Sequence, residues 1–178
     1  MAASEDRRLP SASSGLAVRE AGEADLPCIV RVYNHYVVHG TALWRETPTD
    51  LEERRRWLRD RRPAHPVLIA EWAGRVAGYG AIGPFRAFPG YDRTGEHAVY
   101  VDPALHRRGV GRALLEALIR RGRAAGLDAL IGAISADQPA SLGLHAACGF
   151  REVGRLPGVG RKHGRRLDLV LVQLELGE

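Results

Sequence analysis

The chain has 178 residues, enough for one domain with a sizeable core. Its net charge is +5, and Lys162 is the only lysine among 26 Lys and Arg residues, so arginine carries the positive balance. No apolar run reaches the ~18 residues of a membrane span, no apolar segment near the start reads as a secretory signal, and the arginines come without an aromatic-interleaved sheet, a zinc spacing or a helix-turn-helix pattern. The expectation is a cytoplasmic protein with no nucleic-acid or membrane partner, in which Cys28 and Cys148 are reduced thiols.

"MAASEDRRLPSASSG" (1–15) is small, polar and charged, and reads as a disordered tail before a single domain over 16–178. "LAVREA" alternates like a short strand. "EADLPCIVRVYNHYV" is helical, with Asp25 as cap and Pro27 tolerated in the first turn. "TPTDLEERRRWLRDRR" predicts a second helix, capped by Thr49 or Asp50 and stopped by Pro63. Its acids sit at helical pair spacing, Glu52 with Arg56 and Glu53 with Trp57, which predicts a solvated face. "HPVLIAEWAGRVAGYGAIG" is two strands around a turn at Ala73-Gly74. "FRAFPGYDRTG" is a loop, and "EHAVYVD" is a strand ended by Pro103.

"GVGRALLEALIRRGRAAG" follows as a helix, apolar at 110, 114, 115, 118 and 119 and stopped by Gly126. "LDALIGAIS" is a buried strand. "PASLGLHAACG" is a short helix from Pro139 to near Gly149, and "FREVGRL" and "LDLVLVQLEL" are the last strands. The order β-α-α-β-β-β-α-β-α-β-β predicts a mixed sheet with helices on both faces.

Glycine and positive charge concentrate in "HRRGVGR", where a strand hands over to a helix. The first N–H groups of a helix lack intrahelical partners and carry the positive end of its dipole. Glycines at 109 and 111 let an anion approach the backbone, and Arg107, Arg108 and Arg112 add charge, so the loop can cradle a pyrophosphate. Glycines alone are equally compatible with a plain helix start whose arginines are solvated. The P-loop pattern is absent, and a dinucleotide fingerprint would need a third glycine where Leu114 stands.

"HRRGVGRALL" after "AVYVDP" resembles the coenzyme A signature of the GNAT acetyltransferases, [QR]-x-x-G-x-[GA]. The resemblance runs from about Leu16 to Leu176. Within the superfamily, "EADLPCIVRVYNHYV", "GPFRAFPGYDRTGEHAVYVDP", "SLGLHAACGF" and "GRKHGRRLD" resemble the phosphinothricin and methionine sulfoximine acetyltransferase group in order and spacing. It implies an α/β fold with a central, mostly antiparallel seven-stranded mixed sheet. It also implies an N-acetyltransferase that uses acetyl-CoA and no metal, acts on the primary amine of a small amino-acid-like acceptor, and forms a homodimer. Val99, Tyr100, Val101, Val110, Gln138 and Ser141 would join the glycine loop in holding the cofactor. Tyr36, Trp44, Arg86, Phe88, Tyr91 and Arg166 fall in segments that border the acceptor.

The chemistry sets its own demands. An alkyl amine, pKa near 10, must lose a proton before it attacks. Glu96, on one strand face with Ala98 and Tyr100, matches the general base of the family; the less favoured alternative is a strand-end carboxylate in solvent or bonded to Arg93. His145 stands where many members carry a tyrosine as general acid, and could instead cap local carbonyls. His97 points away from Glu96 and reads as structural or as pocket rim.

The chain departs from the group at several positions. His106 holds the Q/R place, Gln138 replaces asparagine, and Phe88 replaces the second arginine of an F-R-x-R pattern. Arg161 and Arg166 replace a tyrosine and a tryptophan, and Gly95 replaces a valine. An acceptor with an anionic group held by Arg86, helped by Arg166, is the resulting expectation. A non-catalytic acyl-CoA-binding module and an enzyme for polyamines or peptide N-termini are the alternatives.

Overall fold

A computed structural model describes residues 15–61 and 65–177, so most of the expected tail and the Pro63 helix stop lie outside the described residues. The elements follow the order expected from the sequence: β1 (Leu16–Glu20), α1 (Leu26–Val38), α2 (Leu51–Arg59), β2 (Val67–Trp72), β3 (Arg75–Pro84), β4 (Thr94–Val101), α3 (Val110–Ala124), β5 (Ala129–Ser135), α4 (Pro139–Ala147), β6 (Arg151–Lys162) and β7 (Arg165–Glu175). The strands form one seven-stranded sheet in the order β1-β2-β3-β4-β5-β7-β6. Only β4 and β5 pair in parallel; every other pair is antiparallel.

The period-2 pattern of β2 shows why both faces are covered. Leu68 and Ala70 join a core with Leu114, Leu115 and Leu118 of α3, whereas Val67 and Ile69 join Leu26, Ile29 and Val32 of α1 on the other face. A strand buried on both sides reads as a continuous apolar run, as VLIA does. Each fully buried leucine of α3 contributes about 1.5–3 kcal/mol, so Leu118→Ala is expected to loosen the helix that carries the glycine loop.

Three local readings change. Asp25 does not cap α1; its carboxylate accepts from the Gly22 N–H and pairs with Arg19, both at 2.8 Å. Asp50 caps α2 by accepting from Glu53 N at 2.8 Å, but the helix face is not simply solvated. Arg54 is only 6 % exposed, with its guanidinium 3.7 Å from the Tyr33 ring centroid. Glu52 pairs with Arg55, and Glu53 reaches Arg45 in the preceding loop. Finally, β6 continues past Leu156 through Pro157 to Lys162, with the register shifting between Leu156 and Gly160. The bulge absorbs a proline that an unbroken ladder would reject.

The feature that positions the site is a fork. β4 and β5 pair only over Thr94–His97 and Ala129–Gly132. Beyond that point β4 stays bonded to β3 as far as Val101, and β5 to β7 as far as Ser135. Each strand keeps one neighbour and loses the other.

Candidate active site

The fork opens a cleft of about 610 Å³ between the ends of β4 and β5, the start of α3 and one side of α4. Asp102 N donates to Ala77 O at 2.8 Å, so by antiparallel alternation Val99 and Val101 turn their N–H and C=O groups away from β3, into the fork. Tyr36 of α1 donates its hydroxyl to Val101 O at 2.7 Å. The Val99 backbone groups and the Val101 N–H remain for an extended ligand to pair with.

At the mouth of the cleft the glycine loop turns into α3. Gly109 is the N-cap with φ +80, the left-handed region that glycine adopts at little cost. No side chain caps this helix and no acidic residue lies in its first turn. The first hydrogen bond is Ala113 N to Gly109 O, so the N–H groups before it are free to bind an anion. A Cβ on Gly111 would sit 3.2 Å from Leu144 Cδ2 and 3.5 Å from Val101 Cγ2, a tight fit that Leu144 would have to yield to by a few tenths of an ångström. Arg107 and Arg112 line the cleft beside Val110. Arg108 does not; its guanidinium lies 5.7 Å from the Trp72 ring centroid.

His106, at the departed position of the motif, faces the cleft and is tied to α1. Its Nε2 lies 3.0 Å from the Tyr36 hydroxyl. That hydroxyl already donates to Val101, so His106 must be the donor. Gln138 and Ser141 of the α4 start also line the cleft, and Gln138 donates to Thr41 Oγ1 at 3.0 Å.

Glu96 sits one residue before the fork, on the face of Ala98 and Tyr100. Its cross-strand neighbours are Gly83 and Ile131. It is half-buried, and burial raises its pKa above the ordinary carboxylate value while the charge of Arg86 pulls the other way. Arg93, a possible partner from the sequence, is instead bound to Asp128 through bonds of 2.7 and 2.6 Å. Glu96 therefore has one nearby cation, Arg86, that bears on its titration.

On the opposite face of β4, His97 and His145 meet. Both are buried, with their Nε2 atoms 2.9 Å apart, and His145 Nδ1 lies 2.7 Å from Ser141 O. Burial lowers both pKa values, that of His97 to about 3. The strand position placed His97 away from Glu96, but its pairing with α4 could not be read from the sequence.

The remaining acceptor candidates scatter. Phe88 is 72 % exposed, and Tyr91 packs edge-on against Phe85 at 5.6 Å, both on the loop that carries Arg86. Trp44 lies flat on Gly160 of β6, and Arg166 crosses Gly158 of the same hairpin, paired in register with Arg161. Gly95 faces the core: a Cβ there would meet Ile82, Leu127 and Leu130 at 2.6–3.0 Å, so its small size serves packing behind Glu96. Lys162, noted from composition as the only lysine but given no place at the site, is buried and donates to Tyr36 O at 2.9 Å and Leu43 O at 2.5 Å. It fastens the end of α1 and the following loop, which holds Ala42 in the cleft wall, onto the β6–β7 hairpin.

A forked pair of strands with open backbone groups, ending at an uncapped helix start rich in arginine, suits a long extended chain that terminates in a pyrophosphate. No group of three or more His, Cys, Asp or Glu among the described residues could hold a metal ion. Known proteins agree with this geometry. Residues 29–150 match the Acetyltransferase (GNAT) family. The L-methionine sulfoximine/L-methionine sulfone acetyltransferase of Pseudomonas aeruginosa is 46 % identical over 162 residues, covering 90 % of this chain and 94 % of the relative. The phosphinothricin N-acetyltransferase of Alcaligenes faecalis is 41 % identical, covering 89 % of this chain and 82 % of the relative. Among solved structures, yncA of Salmonella typhimurium with its cofactor acetyl-CoA superposes with a TM-score of 0.89 at 39 % identity, covering 92 % of this chain and 95 % of that one.

Proposed function

The chain belongs to the GNAT acetyltransferase family and is an acetyl-CoA-dependent N-acetyltransferase, and from that premise we propose that it acetylates the primary amine of a small amino-acid-like acceptor, with Glu96 as general base. Acetyl-CoA supplies the activated thioester. The glycine loop would hold its pyrophosphate through the free N–H groups of α3 with Arg107 and Arg112, and Val99 and Val101 would pair with its extended arm.

The observation that carries the base assignment is the position of Glu96. It is the half-buried carboxylate one residue before the strands part, with a pKa raised by burial. A raised pKa brings a carboxylate closer to the pH at which it must take a proton. One ammonium proton passes to Glu96, directly or through one water; the freed amine forms the new C–N bond as the C–S bond breaks, coenzyme A leaves as the thiolate with the electron pair, and the acylated nitrogen loses its surplus proton to solvent or to that thiolate. Arg86, whose charge already bears on Glu96, is the cation best placed to hold an acidic group beside the amine.

The relatives named for methionine sulfoximine, methionine sulfone and phosphinothricin support an acceptor of that class. Phe88 in place of a second arginine favours weaker use of phosphinothricin. We place the enzyme in the cytoplasm as a homodimer, with Val153, Leu156 and Val159 of the edge strand β6, all exposed, as the apolar surface a second copy would cover. The deciding experiment is thiol release from acetyl-CoA against phosphinothricin, methionine sulfoximine, methionine sulfone, free amino acids, polyamines and peptide N-termini. Activity confined to polyamines or peptides would overturn the acceptor class, and tight binding without thiol release would leave a binding module.

A further inference from the structure

The bonds of the buried histidine pair determine where its protons are. His145 Nδ1 faces the Ser141 carbonyl at 2.7 Å, and a carbonyl has no proton to offer, so Nδ1 must carry the hydrogen. A neutral imidazole has one N–H, which leaves His145 Nε2 bare. His97 Nε2 lies 2.9 Å from that atom, and two bare nitrogens would repel at this distance, so His97 must donate. Its own Nδ1 is then bare: the Ile131 carbonyl bears on this ring, but the buried Nδ1 makes no hydrogen bond of good geometry. Phe150 packs against both rings, with centroids at 4.8 Å from His97 and 5.2 Å from His145. Among the described residues neither ring is bonded to a carboxylate or a cation.

We propose that the Ser141 carbonyl fixes the tautomer of His145 and that His97 is a positioning residue that holds its remaining nitrogen, so that His145 takes part in catalysis as a neutral ring with no proton to give. One N–H of His145 is spent on its own helix, and the other nitrogen accepts from β4. The expectation that His145 serves as general acid is thereby replaced: a leaving group in the cleft departs without a proton from His145. The bearing on catalysis rests on the acetyl-transfer reading above; the tautomer does not.

The test begins with long-range ¹H–¹⁵N correlation of the imidazole rings of the full wild-type chain at neutral pH. The expected pattern is His145 protonated at Nδ1 only and His97 at Nε2 only. A His145 protonated at Nε2, or at both nitrogens, overturns the proposal whatever the activity. The second arm substitutes His97. His97→Phe keeps the ring packing but removes the donor, and His145 should then keep its Nδ1 proton while the ¹⁵N signal of its Nε2 moves to that of a bare nitrogen and kcat falls about fivefold or more. His97→Gln, whose amide can donate to the same atom, should restore the hydrogen bond at Nε2 and bring kcat within about twofold of wild type, with the KM for acetyl-CoA little changed in both. Equal kcat in His97→Phe and wild type would reduce His97 to packing. A descending alkaline limb in the wild-type kcat profile that disappears in His145→Gln would make His145 an acid and also defeat the idea. Failure to release thiol with any acceptor would sink the proposed function and leave the spectroscopic result to decide the tautomer.

Discussion

The two ends of the cleft are built in different ways. The end at the start of α3 is made of backbone: free N–H groups, a left-handed glycine and a glycine with little room for a Cβ. The region before the fork is made of side chains: His97 of β4 and His145 of α4 line the cleft, and Glu96, under the influence of Arg86, lies on the reverse face of β4 outside that lining. A backbone site tolerates exchange of the surrounding side chains but not the addition of atoms at its glycines. A side-chain site behaves in the opposite way, because each function depends on one titratable group.

The sharpest break is at the side-chain end. Glu96→Gln keeps the shape and removes the base, and should lower kcat about 100-fold or more with little change in acetyl-CoA binding. A wild-type rate at neutral pH in this variant would remove Glu96 from the proton transfer. The pH profile sharpens the point. Activity needs the carboxylate, so kcat/KM should fall as pH drops through a pKa raised above 4.5. Stability moves the other way: a raised folded pKa penalises the ionised form, so Glu96→Gln should raise Tm at neutral pH. The gain should vanish once the medium is acidic enough to protonate both states.

The backbone end breaks next. Saturating acetyl-CoA at about 100 Kd should protect the wild type by about 2.7 kcal/mol, visible as a rise in Tm. Gly109→Asp and Gly111→Asp each put a side chain and a negative charge at the anion site and should erase most of that rise. Normal binding in both would mean that the cradle lies elsewhere.

A smaller effect separates the arginines. Arg86→Ala should lower kcat/KM for phosphinothricin and methionine sulfoximine about tenfold, as loss of a charged hydrogen bond of about 1.5–3 kcal/mol implies, and leave uncharged amines unaffected. Arg166→Ala should change little, because that side chain lies across its own hairpin. Steady-state kinetics with both acceptor types would decide it. The smallest effect is at His106. His106→Gln restores the usual motif residue and should alter the Kd for acetyl-CoA by less than about threefold, since the donors there are main-chain groups.

The same contrast explains what could be read in the sequence. The order of elements along the chain, the covered faces and the place of the glycine-rich loop at the start of α3 were legible because periodicity and a local motif of seven residues carry them. The strand position of Glu96 was legible from alternation. The histidine pair was not, since 48 residues separate its members and nothing local to either announces the other. The one signal was a histidine on the apolar face of a central strand, where an unpaired imidazole is costly. The second half of β6 was hidden by Pro157 and its neighbouring glycines, which carry turn chemistry yet sit in a bulged ladder. Arg54 was concealed by the acids around it, although its guanidinium belongs to the aromatic cluster beneath α2.

Lys162 has a consequence for the reactivity of the protein itself. A thioester slowly acylates any accessible primary amine, and lysine side chains are the usual casualties. Here the only ε-amine in the chain is 1 % exposed and bonded to two carbonyls. Burial lowers its pKa, which would make it a better nucleophile if it were reached. The fold keeps this amine sheltered from the reagent it handles. Amine-directed labels should therefore leave Lys162 unmodified in the native protein and mark it only when the α1 end lifts from the β6–β7 hairpin. The labelling rate of this single residue is thus a built-in clock for local opening beside the cleft.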